Sequence, residues 1–227
     1  KNCSNQKIGI HQQHYHLGNF EANTTKIIQA IGDSRMEGAD LVVFSELCVC
    51  GYPPRDFLEF EDFIERCINS VQQIAAETGD IGVLIGAPSR NPQPEGKDLF
   101  NSAYFLYNGS IQQVIHKTLL PNYDIFDEYR YFEPASEWQT ISFKGKKLAV
   151  TICEDIWDLV ENPLYRSRPM DQLIRQQPDI MINLSASPFD YVHAENRKKV
   201  IADNVKAYGI PMIYCNTVGS QTEIVFD

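Results

Sequence analysis

Lys147-Leu148-Ala149-Val150-Thr151-Ile152-Cys153-Glu154-Asp155-Ile156-Trp157 is an apolar run that ends on a thiol. Residues 147–152 read as a buried strand, because the run is short, apolar and partly β-branched. Cys153 then falls where a strand gives way to a loop. Two other strand-like runs end the same way. Leu41-Val42-Val43-Phe44-Ser45 delivers Glu46, and Ile111-Gln112-Gln113-Val114-Ile115-His116 delivers Lys117. A thiol, a carboxylate and an ammonium at three strand ends have complementary chemistry. The thiol attacks, the carboxylate moves protons, and the ammonium stabilises a developing oxyanion.

Each residue also has a plainer reading. A buried cysteine at a strand end is ordinarily a small apolar residue, and a strand-end lysine or glutamate is ordinarily a solvated cap. Glu46 carries the stronger signal. It sits at the rim of a buried sheet, where desolvation raises a carboxyl toward the range of a general base. Glu154 and Asp155 would raise the Cys153 thiol if they pointed toward it, whereas Lys117 would supply the cation that a reactive thiolate needs.

Outward from these three points, helices and strands alternate. Strands are expected at 7–10, 41–45, 81–86, 102–107, 111–116, 147–152, 179–185, 211–217 and 223–226. Helices are expected at 19–37, 61–77, 171–176 and 194–208. The stretch from Glu61 to Glu77 has the clearest helical period, with Phe63, Ile64, Cys67, Ile68, Val71, Ile74 and Ala75 on one face. Asn108-Gly109 between two strands signals a hairpin. Gly51-Tyr52-Pro53-Pro54 reads as a loop. Residues 121–138 are aromatic-rich and irregular, as functional loops often are. The pattern is an α/β layered domain with mixed sheets over residues 1–227 and no internal linker.

Bulk properties narrow the function classes. The 227 residues carry a formal charge of −10, which disfavours nucleic acid or an anionic membrane as the main partner. No apolar run approaches the ~20 residues that span a bilayer. The first residues are polar, so a signal peptide is not expected, although Lys1 leaves room for residues ahead of it. The six cysteines show no disulfide-framework spacing and fit a reducing, cytoplasmic setting. Cys67 and Cys215 read as small core residues. Cys48, Cys50, Cys153 and Asp155 offer donor atoms, but no paired zinc spacing accompanies them, so no metal site is expected. His14 and His16 fit an edge or loop better than a metal site. No phosphate-binding glycine loop and no G-x-S-x-G elbow is present.

The order Glu46, Lys117, Cys153 resembles the nitrilase superfamily of carbon–nitrogen hydrolases. The stretches 16–24, 44–54, 116–132, 152–157, 183–189 and 218–227 are more closely similar to the glutaminase domain of glutamine-dependent NAD synthetases. Gly51-Tyr52-Pro53-Pro54, Asn122-Tyr123-Asp124-Ile125-Phe126-Asp127-Glu128 and Cys153-Glu154-Asp155-Ile156-Trp157 are the most specific matches. The resemblance implies an αββα sandwich with two mixed sheets, assembled as a homo-oligomer. It implies Glu46 as general base, Lys117 as oxyanion stabiliser and Cys153 as nucleophile toward the side-chain amide of L-glutamine. Tyr123, Glu128, Trp157, Ser187 and His193 match positions that line the family's glutamine pocket. Ser45, Cys48, Cys50 and Ser220 depart from the usual residues without touching the three strand-end groups. No cofactor is implied for this domain. ATP and magnesium belong to a synthetase domain of the same polypeptide, for which residues 1–227 hold no matching pyrophosphate loop. A free-standing amidase or N-carbamoylase, and a non-catalytic assembly module, remain open alternatives at this point.

Overall fold

The computed structural model describes residues 6–159, 165–191 and 193–227; the side chain of His193 and residues 160–164 lie outside them. Eleven strands and five α-helices follow the chain among the described residues. They are β1 (Ile8–Ile10), α1 (Phe20–Met36), β2 (Leu41–Val43), α2 (Glu61–Ala76), β3 (Gly82–Arg90), β4 (Leu99–Tyr107), β5 (Ser110–His116) and α3 (Glu128–Tyr131). Then come β6 (Ile141–Phe143), β7 (Lys146–Ile152), α4 (Pro169–Leu173), β8 (Ile180–Ser185), α5 (His193–Tyr208), β9 (Met212–Asn216), β10 (Gly219–Gln221) and β11 (Ile224–Phe226).

Two mixed sheets form the centre. One has the order β1-β2-β3-β4-β5, the other β6-β7-β8-β9, and β10 pairs with β11 as a separate ribbon. Within the first sheet β1, β2 and β3 run parallel, while β3, β4 and β5 are antiparallel. In the second, β7, β8 and β9 run parallel and β6 is antiparallel to β7.

The period of two along each strand sorts its side chains into layers. Leu41, Val43, Leu84 and Phe105 of the first sheet pack against Leu148, Val150, Ile152, Ile182 and Leu184 of the second. The alternate residues Val42, Phe44, Val83 and Ile85 pack against Ile27, Ile31, Phe63, Ile64 and Ile74 of α1 and α2. On the far side Ala149 and Met181 meet Met170 and Leu173 of α4, with Val205 and Tyr208 of α5 beside them. The layers are therefore helix, sheet, sheet, helix, as the family resemblance implies.

The elements differ from expectation mostly at their ends. β3 continues through Ala87-Pro88-Ser89 to Arg90, because β4 pairs with it over that whole length. The short strands β6 and β10 are additions. The aromatic segment 121–138 holds one turn of helix, α3. His14 and His16 lie between β1 and α1 outside any strand, with ring centroids 4.4 Å apart. Cys67 and Cys215 are fully buried.

Candidate active site

Strands β2 and β7 belong to the two facing sheets, and both end in abrupt turns. The chain leaves β2 through Phe44 and Ser45 to Glu46, and Leu47 then adopts a left-handed φ of 48°. It leaves β7 directly into Cys153, whose φ is 43°. For a residue with a Cβ this conformation costs roughly 1–2 kcal/mol, and it persists only where the surroundings enforce it. A 3-10 turn from Cys153 to Ile156 follows at once. The space outside the carboxyl ends of parallel strands is where α/β sheets commonly hold ligands.

Close packing brings Glu46 to this place. A Cβ on Gly86 of β3 would lie 2.3 Å from the Leu47 nitrogen and 2.8 Å from the Ser45 carbonyl oxygen. Only a residue without a side chain lets β3 lie so close to the Glu46 turn. Gly86→Ala should push residues 45–47 outward, with about 1–3 kcal/mol lost from stability. A chemical denaturation midpoint unchanged from wild type would contradict this.

Lys117 is completely buried, and its ammonium sits between two carboxylates. Nζ donates to Glu46 Oε1 at 2.7 Å and to Glu128 Oε1 and Oε2 at 2.9 and 2.8 Å. Asn101 of β4 organises the same cluster. Its Nδ2 donates to Glu46 Oε1 at 2.8 Å and to Glu128 Oε2 at 3.4 Å, while its backbone carbonyl accepts the backbone N–H of Lys117 at 2.8 Å. Tyr52 donates its hydroxyl to Glu128 Oε1 at 2.7 Å. From the second sheet, the Ala186 N–H just past β8 reaches Glu46 Oε2 at 3.0 Å. Glu46 is thus fixed from both sheets.

One ammonium against two carboxylates leaves the buried cluster with an excess of negative charge. Burial pushes the Glu46 carboxyl up; the Lys117 ammonium opposes this, and Glu128 adds to it. Burial alone lowers Lys117, but Glu128, Glu46 and Cys153 outweigh it and hold the ammonium protonated. Burial also drives the Cys153 thiol well above its ordinary range, followed by Glu46, with Lys117 and Ser185 pulling it down. The resting group is therefore a thiol. Lys117 does favour the thiolate, as expected from the sequence, but it is outweighed, so the proton must be removed by a base. Of the acidic neighbours, Glu46 and Glu128 raise Cys153. Asp155 turns its carboxylate to backbone N–H groups instead.

A cavity of about 290 Å³ opens over Cys153, lined among others by Tyr123, Glu154, Trp157, Ser187 and Phe189. Three of the five residues expected at a substrate pocket, Tyr123, Trp157 and Ser187, meet there. Glu128 does not line that cavity. It belongs to the Lys117 cluster and to a second cavity on the other side of Ile125 and Phe126. The His193 side chain is outside the described residues. Glu154 was not singled out as a pocket residue, yet it lines the cavity, accepting hydrogen bonds from the Tyr123 hydroxyl at 2.7 Å and the Tyr165 hydroxyl at 3.2 Å. Ser187 is steadied by Asn216, whose Oδ1 accepts its N–H at 2.8 Å and whose Nδ2 donates to its carbonyl at 3.0 Å.

Asn101 and Asn216 also escaped the sequence reading. Their signal was a carboxamide in an otherwise apolar strand, since a buried amide without a hydrogen-bonding task is costly. His116, beside Lys117, is stacked on Phe100 at 4.0 Å and bonded to Ser102 Oγ at 2.8 Å. Burial pushes its imidazole from 6.5 down to about 4. Between those values the unfolded chain binds a proton that the folded chain refuses. Stability present above pH 6.5 is therefore lost as pH falls through that window. The melting temperature of wild type should drop more steeply there than that of His116→Gln, and equal slopes would contradict the assignment.

Among the described residues no group of three or more His, Cys, Asp or Glu is placed to hold a metal ion. No helix among them is long and apolar enough to cross a membrane.

Known proteins are similar to this chain along most of its length. The glutamine-dependent NAD(+) synthetase of Synechocystis sp. is 36% identical over 227 residues, covering 97% of this chain and 41% of the synthetase. The structure of glutamine-dependent NAD+ synthetase from Acinetobacter baumannii, solved with ADP, superposes with a TM-score of 0.88 at 31% identity, over 98% of this chain and 40% of that one. An amidase from Nesterenkonia sp. shares the fold, with a TM-score of 0.81 at 21% identity over 99% of this chain and 80% of the amidase. The chain thus spans about 40% of the length of the synthetases that it matches. The carbon-nitrogen hydrolase family model matches residues 7–226, from the strand before α1 to the last residue of β11. This chain belongs to the carbon–nitrogen hydrolase family.

Proposed function

We propose that this domain hydrolyses the side-chain amide of L-glutamine through a thioester on Cys153. The observation that carries it is the buried Lys117, held between Glu46 and Glu128 next to a protonated thiol at the floor of a cavity. In this reaction Glu46 takes the Cys153 proton as sulfur attacks the amide carbon. The carbonyl oxygen becomes an oxyanion, and the Lys117 ammonium stabilises it. Glu46 returns the proton to the departing nitrogen, the C–N bond breaks, and ammonia leaves a glutamyl thioester. Water then loses a proton to Glu46 and attacks the thioester. The C–S bond breaks, glutamate leaves, and the proton restores the thiol.

A base with a raised pKa suits both halves, because it can accept and return a proton near neutral pH. Glu128 and Asn101 keep the Lys117 ammonium charged and in place. Tyr123, Trp157 and Ser187 are proposed to contact the substrate. Glu154, a carboxylate within the cavity, offers a partner for the α-ammonium of an amino acid. His193, expected at the pocket from the sequence, has its side chain outside the described residues and is kept as a proposed substrate contact.

The ammonia is proposed to serve a synthetase domain of the same polypeptide, which would use ATP and magnesium to amidate nicotinate adenine dinucleotide. No cofactor is assigned to the present domain. A homo-oligomer in the cytoplasm completes the proposal. Glutamine dependence in the names of relatives that match 97% of this chain supports it. Comparing kcat/KM for glutamine, a simple aliphatic amide and an N-carbamoyl amino acid provides the test. Glutamine should lead by at least about 100-fold, since a substrate without an ammonium would offer the Glu154 carboxyl no cationic partner beyond the two tyrosine hydroxyls it already accepts from. Equal turnover of the aliphatic amide would favour a general amidase instead.

A further inference from the structure

Asp155 lies in the turn after Cys153 and is almost wholly buried. Its carboxylate accepts three backbone hydrogen bonds. Oδ1 takes the N–H groups of Thr118 and Leu119 at 3.0 and 2.8 Å, and Oδ2 takes that of Ile152 at 3.0 Å. The first two immediately follow Lys117, and the third immediately precedes Cys153. Lys117 comes from the end of β5 in the first sheet, whereas Cys153 comes from the end of β7 in the second. One carboxylate therefore ties together the two segments that carry the ammonium and the thiol.

Burial pushes the Asp155 carboxyl up to about 7, and the three directed N–H groups pull against it and favour the carboxylate. The geometry also bears on the strained Cys153. An N–H before it is fixed from a residue two positions after it, which closes the turn around the left-handed residue. No apolar or singly accepting side chain can make all three bonds.

We propose that Asp155 is a positioning residue for the reaction. Its carboxylate sets the separation of the Lys117 ammonium and the Cys153 sulfur by gripping the backbone beside each. The proposal rests on the roles given above to Lys117 and Cys153. A misplacement of about 1 Å between such groups costs about 100-fold in rate.

The test is Asp155→Asn in the full chain, a change that keeps volume but aims an NH2 at one of the N–H groups. Three readouts are made side by side: kcat and KM for glutamine, the melting temperature, and the pH midpoint for alkylation of Cys153 by iodoacetamide. The expected result is a kcat about 100-fold lower with KM within threefold, and an alkylation midpoint moved to higher pH, because Lys117 no longer favours the thiolate as strongly. Asp155→Glu, with its charge kept, should recover part of kcat. A melting temperature that falls while kcat and the alkylation midpoint stay at wild type would overturn the proposal. So would failure of both variants to fold, which would place Asp155 in the fold alone. If wild type proves silent toward glutamine, the glutamine assignment fails by itself, and the alkylation midpoints of wild type and Asp155→Asn still decide whether Asp155 positions the pair.

Discussion

Replacing Lys117 with alanine should damage the protein twice over. The side chain is wholly buried and, among the described residues, is the only ammonium bonded to Glu46 and Glu128. Without it two carboxylates remain in a buried site with Asn101, Tyr52 and the Ala186 N–H as hydrogen-bond donors. Removing one partner of a buried ion pair costs about 3–5 kcal/mol, and the site limits that loss by taking up a proton. For a chain of this size the cost corresponds to roughly 10 °C in melting temperature. Activity should fall by about 100–1,000-fold, the usual effect of losing an oxyanion donor. A double change, Lys117→Met with Glu128→Gln, separates the two effects. It removes one of the two carboxylates left without a cation, which restores the wild-type net charge of the cluster, and should recover part of the stability but none of the rate. Recovery of rate in the double variant would mean that Lys117 acts only as a structural counter-ion.

Cys153→Ala should abolish ammonia release from glutamine and leave the fold intact. The sulfur is the proposed bonding atom, so nothing in the site replaces it. The structural cost is small, because the thiol sits at the cavity floor and alanine only enlarges that cavity slightly. The left-handed backbone at residue 153 tolerates alanine as poorly as cysteine, so no new strain enters. Circular dichroism and the melting temperature should therefore match wild type within a few degrees. Ammonia release near the wild-type rate would remove Cys153 from the mechanism.

Much of this was legible in the chain, for reasons that differ by element. The helix Glu61–Ala76 shows because one whole face is apolar at a period of 3.6. β2 and β7 show because both their faces are covered, which leaves unbroken apolar runs. The same burial marked Glu46, Lys117 and Cys153, since each ends such a run with a chemically active group. β6 and β10 were hidden because each has three residues and one exposed position. The far half of β3 was hidden by Pro88, which lacks a ladder donor but is paired with Asn101 all the same.

The wiring of the site was less legible. That Glu128 would turn to Lys117 instead of the cavity depends on Tyr52 and Asn101, 76 and 27 residues away from it. That Asp155 would leave the thiol alone depends on N–H groups from another sheet's strand end. The protonation state of Cys153 was similarly out of reach, because it results from burial and Glu46 outweighing Lys117. Local sequence shows which groups end a strand; tertiary packing decides which of them meet.

The most direct measurement is mass spectrometry of the protein quenched in acid during turnover of glutamine. The Cys153 peptide should carry an added mass equal to glutamine less ammonia, and the adduct should be absent from Cys153→Ala. Ammonia released at the normal rate with the Cys153 peptide unmodified, and equally by both proteins, would contradict a thioester mechanism at this cysteine.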